Sequence, residues 1–448
     1  VSSVAVNLGT DPVPTCFWHY LLPSVMGMMI KSVYIISDLI FIGQRMGYAG
    51  LAAINIVIPY FTFMFSIAVS IGVSGSALMA IRFGEGRRQE GLIMFQQAFS
   101  LTCIIMVLFT FFTLLNLENI SCLFGADEEL LPLVKDYLGM ITLFATPCGI
   151  GWAMSGFIRN DDNPGLVMMA MIGSACTNVF LDWLFLFPFG WGMKGAACAT
   201  GIAEVVMLGT LLLHFRRPNQ ALKLKLVLPD WHIAKLIFRN AVSTFTMESA
   251  FGVVIMISNW VLLRLGGNLF VSVYTIALNC TWVVVLLVYG VGQAAQPIIS
   301  FNYGAGLNHR IQEIIKLGFG LVMVIGLTLS LGMVVFAHSI VTLFVDKPSE
   351  QLLALGGHVL RLYALSLVPM CINLMTATLY QSVDKAAYST VISMLRSLVL
   401  PLAGLFLLPG LFMVNAIWYN LLQTEVTTAL ISVYFLKRFW DQLRRNSV

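Results

Sequence analysis

The sequence predicts an all-α integral membrane protein with twelve transmembrane helices in two six-helix lobes. Three observations carry that expectation. First, 59% of the 448 residues are apolar and only 10% are charged, against about 25% charged in an ordinary soluble domain. So few charges cannot coat a soluble surface. That excludes a disordered protein and a nucleic-acid binder, and argues against a soluble enzyme. Second, the apolar runs are continuous rather than alternating, which suits helices and not the strands of a barrel. Third, the two halves of the chain repeat at an offset near 220 residues.

A membrane-spanning helix needs roughly 20 apolar residues. Polar breaks divide the chain into twelve such runs, near 16–43, 51–81, 92–117, 131–156, 164–188, 194–214, 236–263, 270–301, 312–343, 354–381, 387–408 and 413–436. The first run holds Pro23 and Asp38. The second carries a row of small residues from Ser70 to Ala77, which suits close helix packing. A basic break with Arg82, Arg87 and Arg88 precedes the third, and an acidic one with Glu118, Glu128 and Glu129 precedes the fourth. Asp161-Asp162-Asn163-Pro164 reads as a solvated turn before the fifth. The fifth holds Asn178 and Asp182, and the sixth holds Thr200 and Glu204. Residues 215–235, rich in Arg, Lys and Pro, read as a link between lobes 1–214 and 236–448, the second ending in a basic tail. The seventh run holds Glu248, and the twelfth Glu425.

The repeat supports the division. Phe83-Gly84-Glu85-Gly86 answers Tyr303-Gly304-Ala305-Gly306 at 220, and Leu123-Phe124 answers Leu343-Phe344. Pro147 answers Pro369 at 222; Pro188 answers Pro409 and Glu204 answers Glu425 at 221. Each copy holds an even number of spans, so the copies are parallel repeats about an axis along the membrane normal, a transporter pattern.

With the N-terminus placed in the cytoplasm, sixteen of the 25 Lys and Arg fall in inside loops and the tail, and five fall outside. That bias puts both termini in the cytoplasm of a multi-pass protein of the bacterial inner membrane. Val1–Pro14 has no basic n-region, so no cleavable signal is expected. The eight cysteines lie in or at the ends of apolar runs, without a CxxC, and read as small packed side chains.

Acids within spans are the informative residues, because a charge at the bilayer centre costs at least about 2.5 kcal/mol. Five qualify: Asp38, Asp182, Glu204, Glu248 and Glu425. Asn178 and Asp182, at i and i+4, share one helix face. With Asp38 and the hydroxyl of Thr200 they make a hard-oxygen set, able to hold a monovalent cation or to share one proton between the acids. The bland alternative is that each acid pairs with a buried base or joins two helices by a hydrogen bond, which would equally explain the recurrence of Glu204 and Glu425. Pro23 frees a backbone carbonyl and is a candidate hinge for the first span. Tyr60, Phe63, Met256, Tyr274 and Trp282 are candidate walls of a substrate cavity, since soft aromatic and thioether surfaces suit bulky apolar or cationic molecules.

Enzymatic readings are weak. Gly72-Val73-Ser74-Gly75 matches the GxSG of intramembrane serine proteases, but the histidine such a serine needs is absent from the span interiors. No Gly-rich loop ends in Lys-Ser or Lys-Thr, so nucleotide hydrolysis is not expected.

Several motifs taken together resemble the multidrug and toxic compound extrusion (MATE) family over nearly the whole chain. They are Leu22-Pro23 with Ser37-Asp38 and Gly43, then Gly50-Leu51-Ala52-Ala53; Gly156-Phe157-Ile158-Arg159-Asn160; Asn178 with Asp182; and Gly195-Ala196-Ala197-Cys198-Ala199-Thr200. The resemblance implies a V-shaped pair of lobes and export by alternating access, driven by Na⁺ or H⁺ with no other cofactor. It implies that Asp38, Asn178, Asp182 and Thr200 match the N-lobe ion site of the DinF-like branch, and Pro23 its bending proline. Glu248 falls where NorM-like members keep an acid in the seventh span, a possible secondary site. The tenth span departs from that branch: no acid lies between Arg361 and Gln381, which favours coupling in the N-lobe. The expected partners are an organic small molecule and the lipid bilayer, with no nucleic acid, for a chain acting as a monomer. Drug-like compounds are the expected cargo, and the chain also looks like a member that exports a peptide–polyketide toxin precursor. A flippase for lipid-linked precursors, from the same superfamily, is the alternative; its cavity would need several bases for a diphosphate.

Overall fold

The computed structural model describes residues 6–126, 128–217, 220–344, 349–411 and 414–445; the side chains of 31–33, 35, 36, 48, 268, 411, 414 and 415 are outside the description. The first five residues, part of the stretch read for a signal, lie outside it too. Among the described residues there is helix and turn but no strand.

Helix Val13–Gly84 holds the first two spans, because the backbone folds over at Gly47 with φ 62° and ψ −151°. A side chain would strain its own backbone at that positive φ, so only glycine reaches the conformation readily. Helix Trp231–Gly304 does the same at Gly267, φ 64° and ψ −155°. The 220-residue offset is therefore a repeat of backbone shape as well as of residue type. The N-terminal six spans are α1 (13–46), α2 (Ala49–Gly84), α3 (Arg88–Leu115), α4 (Leu131–Leu143 joined to Ala145–Asn160 at a 54° bend), α5 (Pro164–Leu186) and α6 (Gly192–Arg216). The C-terminal six are α7 (Trp231–Gly267), α8 (Leu269–Gly304), α9 (Asn308–Val335), α10 (Glu350–Ser382), α11 (Ala386–Gly410) and α12 (Asn420–Arg445). Among the described residues nine helices are separately long and apolar enough to cross a membrane, and ten with α4 taken as one bent span.

Two boundaries differ from the hydropathy reading. The ninth run ends its helix at Val335, and the remainder forms a separate short helix, Ala337–Phe344. Its counterpart after α3 is Leu117–Leu123. The twelfth run opens as a 3₁₀ segment, Val414–Tyr419, and its helix then continues to Arg445. Hydropathy marks where lipid is tolerated, whereas backbone hydrogen bonds carry a helix past that limit into polar sequence.

Each half has its own core. Ile42, Val57, Met64, Leu138, Ile158 and Met207 belong to the N-terminal one. The C-terminal core gathers Val288, Ile314, Leu367, Leu374 and Trp418, and takes in Val13, Phe17, Tyr20 and Leu21 from the start of α1. At the end of the molecule that carries the termini, α2 crosses α8 so closely that a Cβ on Gly84 would overlap the Phe301 carbonyl, and one on Gly304 the Ile81 carbonyl. Gln296 Nε2 donates to Ser76 Oγ at 3.3 Å across the same crossing.

The N-terminal segment clasps this end. Val6 N donates to Asp162 at 3.1 Å on the first half. Arg310, on the second, donates to the Leu8 carbonyl at 2.9 Å and the Asp11 carbonyl at 2.5 Å. The Asp161-Asp162 turn is thus not the solvated one expected. Asp161 accepts from His214 at 2.8 Å and from Ala221 N at 3.0 Å, tying the extended segment after α6 to α4. Asp162 also meets His19 at 3.2 Å and Tyr20 at 3.3 Å. Short polar turns have no hydrophobic period, so nothing in the pattern announces partners this far along the chain.

Candidate functional site

Three helices of the first half bring four predicted residues together. Asp38 lies nine residues before the Gly47 turn, Asp182 four residues before the end of α5, and Thr200 eight residues into α6. At 1.5 Å per residue these depths are roughly 6–14 Å from the end opposite the termini. Asn178 Nδ2 donates to Thr200 Oγ1 at 3.3 Å. The Asp38 and Asp182 carboxyls come within hydrogen-bonding reach of one another. Tyr137, from the first half of α4, approaches Thr200.

Asn178 and Asp182 are wholly buried and Thr200 nearly so. Yet both oxygens of Asp182, Oδ1 of Asp38 and Oδ1 of Asn178 find no donor among the described residues. Buried carboxyl oxygens without donors are costly, and two carboxylates in contact cannot both stay ionised unaided. One positive charge between them removes both penalties. A shared proton supplies it by giving one acid a donor, and a small cation by accepting carboxyl, amide and hydroxyl oxygens together. Among the described residues no three His, Cys, Asp or Glu converge, so the donor set is one of two acids and neutral oxygens.

The other predicted residues disperse. Pro23 lies within α1, whose backbone stays helical up to the Gly47 turn. Close by, Val25 packs against Gly290 of α8, so this stretch of α1 faces the other half. Tyr60 is buried, shares a 2.9 Å hydrogen bond with Thr142 and stacks on Phe109, which places it in the core of the first half. Phe63 meets Phe245 of α7 edge-on at 5.6 Å, at the seam between halves. Met256 is 60% exposed. Ser74 donates to the Ile237 carbonyl at 2.8 Å in a buried contact, a helix-packing role.

Tyr274, Trp282 and Glu248 meet in the second half, in a cavity of about 130 Å³ between α7, α8, α10, α11 and α12. Sequence reasoning missed its basic member. Arg396, on α11, sits in a π-helical turn, Leu395–Val399, a feature often found at functional sites. Its Nε lies 2.9 Å from Glu425 Oε1 and 3.2 Å from Oε2. Asn373 donates to Glu425 Oε2 at 2.8 Å, and Ser432 to Asn373 at 2.8 Å. The signal available was an in-span base in the same half as an in-span acid, but 29 residues separate them on different helices, beyond any helical spacing rule.

The family model MatE matches the chain twice, at residues 23–184 and 245–407. The multidrug export protein MepA of Staphylococcus saprophyticus is 24% identical over 429 residues, 95% of this chain and 94% of that protein. MepA of Staphylococcus aureus is 23% identical over 438 residues, covering 97% and 95%. Among solved structures, an outward-facing multidrug resistance MATE family transporter of the MOP superfamily superimposes with a TM-score of 0.91 at 20% identity, covering 99% of this chain and all of that one. A MATE protein in a bent conformation superimposes with a TM-score of 0.90 at 20% identity, each chain covered in full.

Proposed function

This chain belongs to the MatE family of multidrug efflux transporters, and from that premise we propose that it is an antiporter, driven by H⁺ or Na⁺, that exports organic small molecules by alternating access. The cargo is drug-like, or a peptide–polyketide precursor, moving from cytoplasm to periplasm across the inner membrane. The observation that carries the coupling is the pair of buried carboxyls, Asp38 and Asp182, three of whose oxygens find no donor among the described residues.

Both termini lie in the cytoplasm, and the two lobes, 1–214 and 236–448, rock about the link 215–235. In that orientation the clasped end is the cytoplasmic one, and the carboxyl pair lies nearer the far side. A cation that binds at Asp38, Asn178, Asp182 and Thr200 removes buried negative charge and lets α1, α5 and α6 pack more tightly. Pro23 gives α1 the missing backbone hydrogen bond at which it bends. The ion biases the inward–outward equilibrium only so far as it binds the two states unequally.

The test is export of a fluorescent drug from proteoliposomes under an imposed H⁺ or Na⁺ gradient. Wild type exports against the gradient and Asp38→Asn does not; equal export by both would sink the mechanism. A chain that bound labelled polyprenyl diphosphate and moved no drug would instead be a flippase.

A further inference from the structure

A charged side chain lies buried in the first half without a countercharge. Arg159, in the last turn of α4, is 4% exposed. It makes neither a hydrogen bond nor an ion pair with the described residues. The two acids that follow it are engaged elsewhere, Asp161 by His214 and Ala221 N, Asp162 by Val6 N and Tyr20. A helix C-terminus offers a cation only about half a negative charge. A buried charge left otherwise uncompensated is costly.

The repeat shows what the first half lacks. The offset of 222 that pairs Asp162 with Asp384, both at positive φ, pairs Arg159 with Gln381. The offset of 220 that pairs Gly47 with Gly267 pairs Ser24 with Thr244. In the second half these two positions are joined, since Gln381 Nε2 donates to Thr244 Oγ1 in a buried contact. In the first half they stay apart. Ser24 is 4% exposed, and its Oγ has no partner among the described residues. Tyr20, one turn before Ser24 on α1, is close enough to act on Arg159 electrostatically, which brings the two helix faces together.

An acceptor between Arg159 and Ser24 would take an N–H from one and the O–H from the other. Water meets the hydrogen bonds but leaves the charge. A monovalent anion meets both, and bonds to an ionised donor are the stronger kind. Side chains this buried leave room for a small, dehydrated ion rather than a phosphate. We propose that Arg159 and Ser24 hold a halide ion, with Arg159 supplying the charge and Ser24 the second donor. The site is separate from the carboxyl pair, since Ser24 and Asp38 stand fourteen residues, about 21 Å, apart along α1.

Thermal unfolding of the full chain in nanodiscs tests the assignment without any transport. Sodium chloride replaces sodium gluconate at constant Na⁺ and ionic strength, so the carboxyl pair meets the same cation throughout. A ligand of the folded state raises the midpoint by mass action, and the wild-type midpoint should climb with chloride. Arg159→Gln gives the first half the residue that already serves at the equivalent place in the second. Its midpoint should not respond to chloride. Ser24→Ala keeps the charge, and should need about tenfold more chloride for the same shift, the margin of one hydrogen bond to a charged group. Crystals grown in bromide give a check that needs no variant, an anomalous peak within hydrogen-bonding reach of both side chains. A wild-type midpoint indifferent to chloride would overturn the assignment. So would an undiminished response in Arg159→Gln, an unchanged chloride requirement in Ser24→Ala, or bromide crystals with no peak at this place.

Discussion

The two halves share a backbone and differ in how they neutralise buried acids. In the first half Asp38 and Asp182 face each other with oxygens that lack donors among the described residues. In the second, Glu425 is held by Arg396 and Asn373. The repeat shows how the difference arose residue by residue. At the 220 offset Asp38 answers Ser258, and at 221 Arg396 answers Ala175. One half thus loses an acid and gains a base. A site completed by an outside charge can exchange it, whereas one completed by its own arginine cannot without breaking a pair. The contrast supports the proposal that ion exchange, if the chain couples to an ion, belongs to the first half.

The sharpest way to break that contrast is to neutralise the exchangeable site. Asp182→Asn should cut gradient-driven export at least about tenfold, because the pair no longer needs an added charge. It should leave the thermal midpoint unchanged or higher, since it removes a buried charge rather than a pair. A variant that lost stability along with transport would show Asp182 to be a packing residue. Transport in proteoliposomes and thermal unfolding in detergent read the two effects separately.

The second half should respond the opposite way. Arg396→Met alone should destabilise by about 3–5 kcal/mol, the usual cost of leaving a buried charge without its partner. Adding Glu425→Gln should recover most of that loss, which unfolding of the single and double variants would measure. If the double variant stayed as unstable as the single, Arg396 would matter for packing and not as the countercharge of Glu425.

A third, smaller effect concerns the clasp that joins the halves. Arg310→Ala removes donors to two carbonyls of the N-terminal segment and to Asn302 Oδ1 at 3.0 Å. The expected loss is about 1.5–3 kcal/mol, the range for a hydrogen bond to a charged group. It should appear as faster labelling of a cysteine placed at Ser76 in a background without reactive thiols. Unchanged labelling would mean that the Gly84–Gly304 crossing closes this end alone.

How much of this was legible depended on what lipid makes expensive. Asp38 and Asp182 stood out because carboxylates are rare in apolar runs, and Asn178 joined them by a spacing that one helix enforces. The repeat was legible partly through Gly84 and Gly304, where the crossing needs glycine, whereas the paired glycine turns at 47 and 267 emerged only from the backbone. Arg396 was not legible as a partner, because its acid is on another helix and its π turn has no residue signature. Tyr60 was misleading, since an aromatic on a span reads the same whether it lines a cavity or, as here, is packed behind Phe109. The clasp was hidden because residues 6–12 have no period and bond through their own main-chain groups, Val6 N to Asp162 and the Leu8 and Asp11 carbonyls to Arg310, which sequence does not distinguish.

The finest distinction between the halves lies in two turns at equivalent places. Asp162 and Asp384 both adopt positive φ, 53° and 54°. Asp162 accepts from Val6 N and Tyr20 and so anchors the clasp, while Asp384 has the exposed Arg239 at 3.3 Å. Burial pushes the Asp384 carboxyl above its ordinary value, and the nearby Arg239 opposes that without reversing it. A carboxyl whose pKa is raised on folding favours the protonated form in the folded state. Its contribution is therefore full below the unfolded pKa of about 3.9 and is lost as pH rises through the folded value. Asp384→Asn keeps a residue that tolerates positive φ and carries no charge to lose. It should raise the thermal midpoint slightly at neutral pH, with the gap over wild type closing as the buffer is taken down toward pH 4. A variant less stable than wild type at neutral pH would mean that the Arg239 pair outweighs burial, and that this turn, like that of Asp162, is held by its partners.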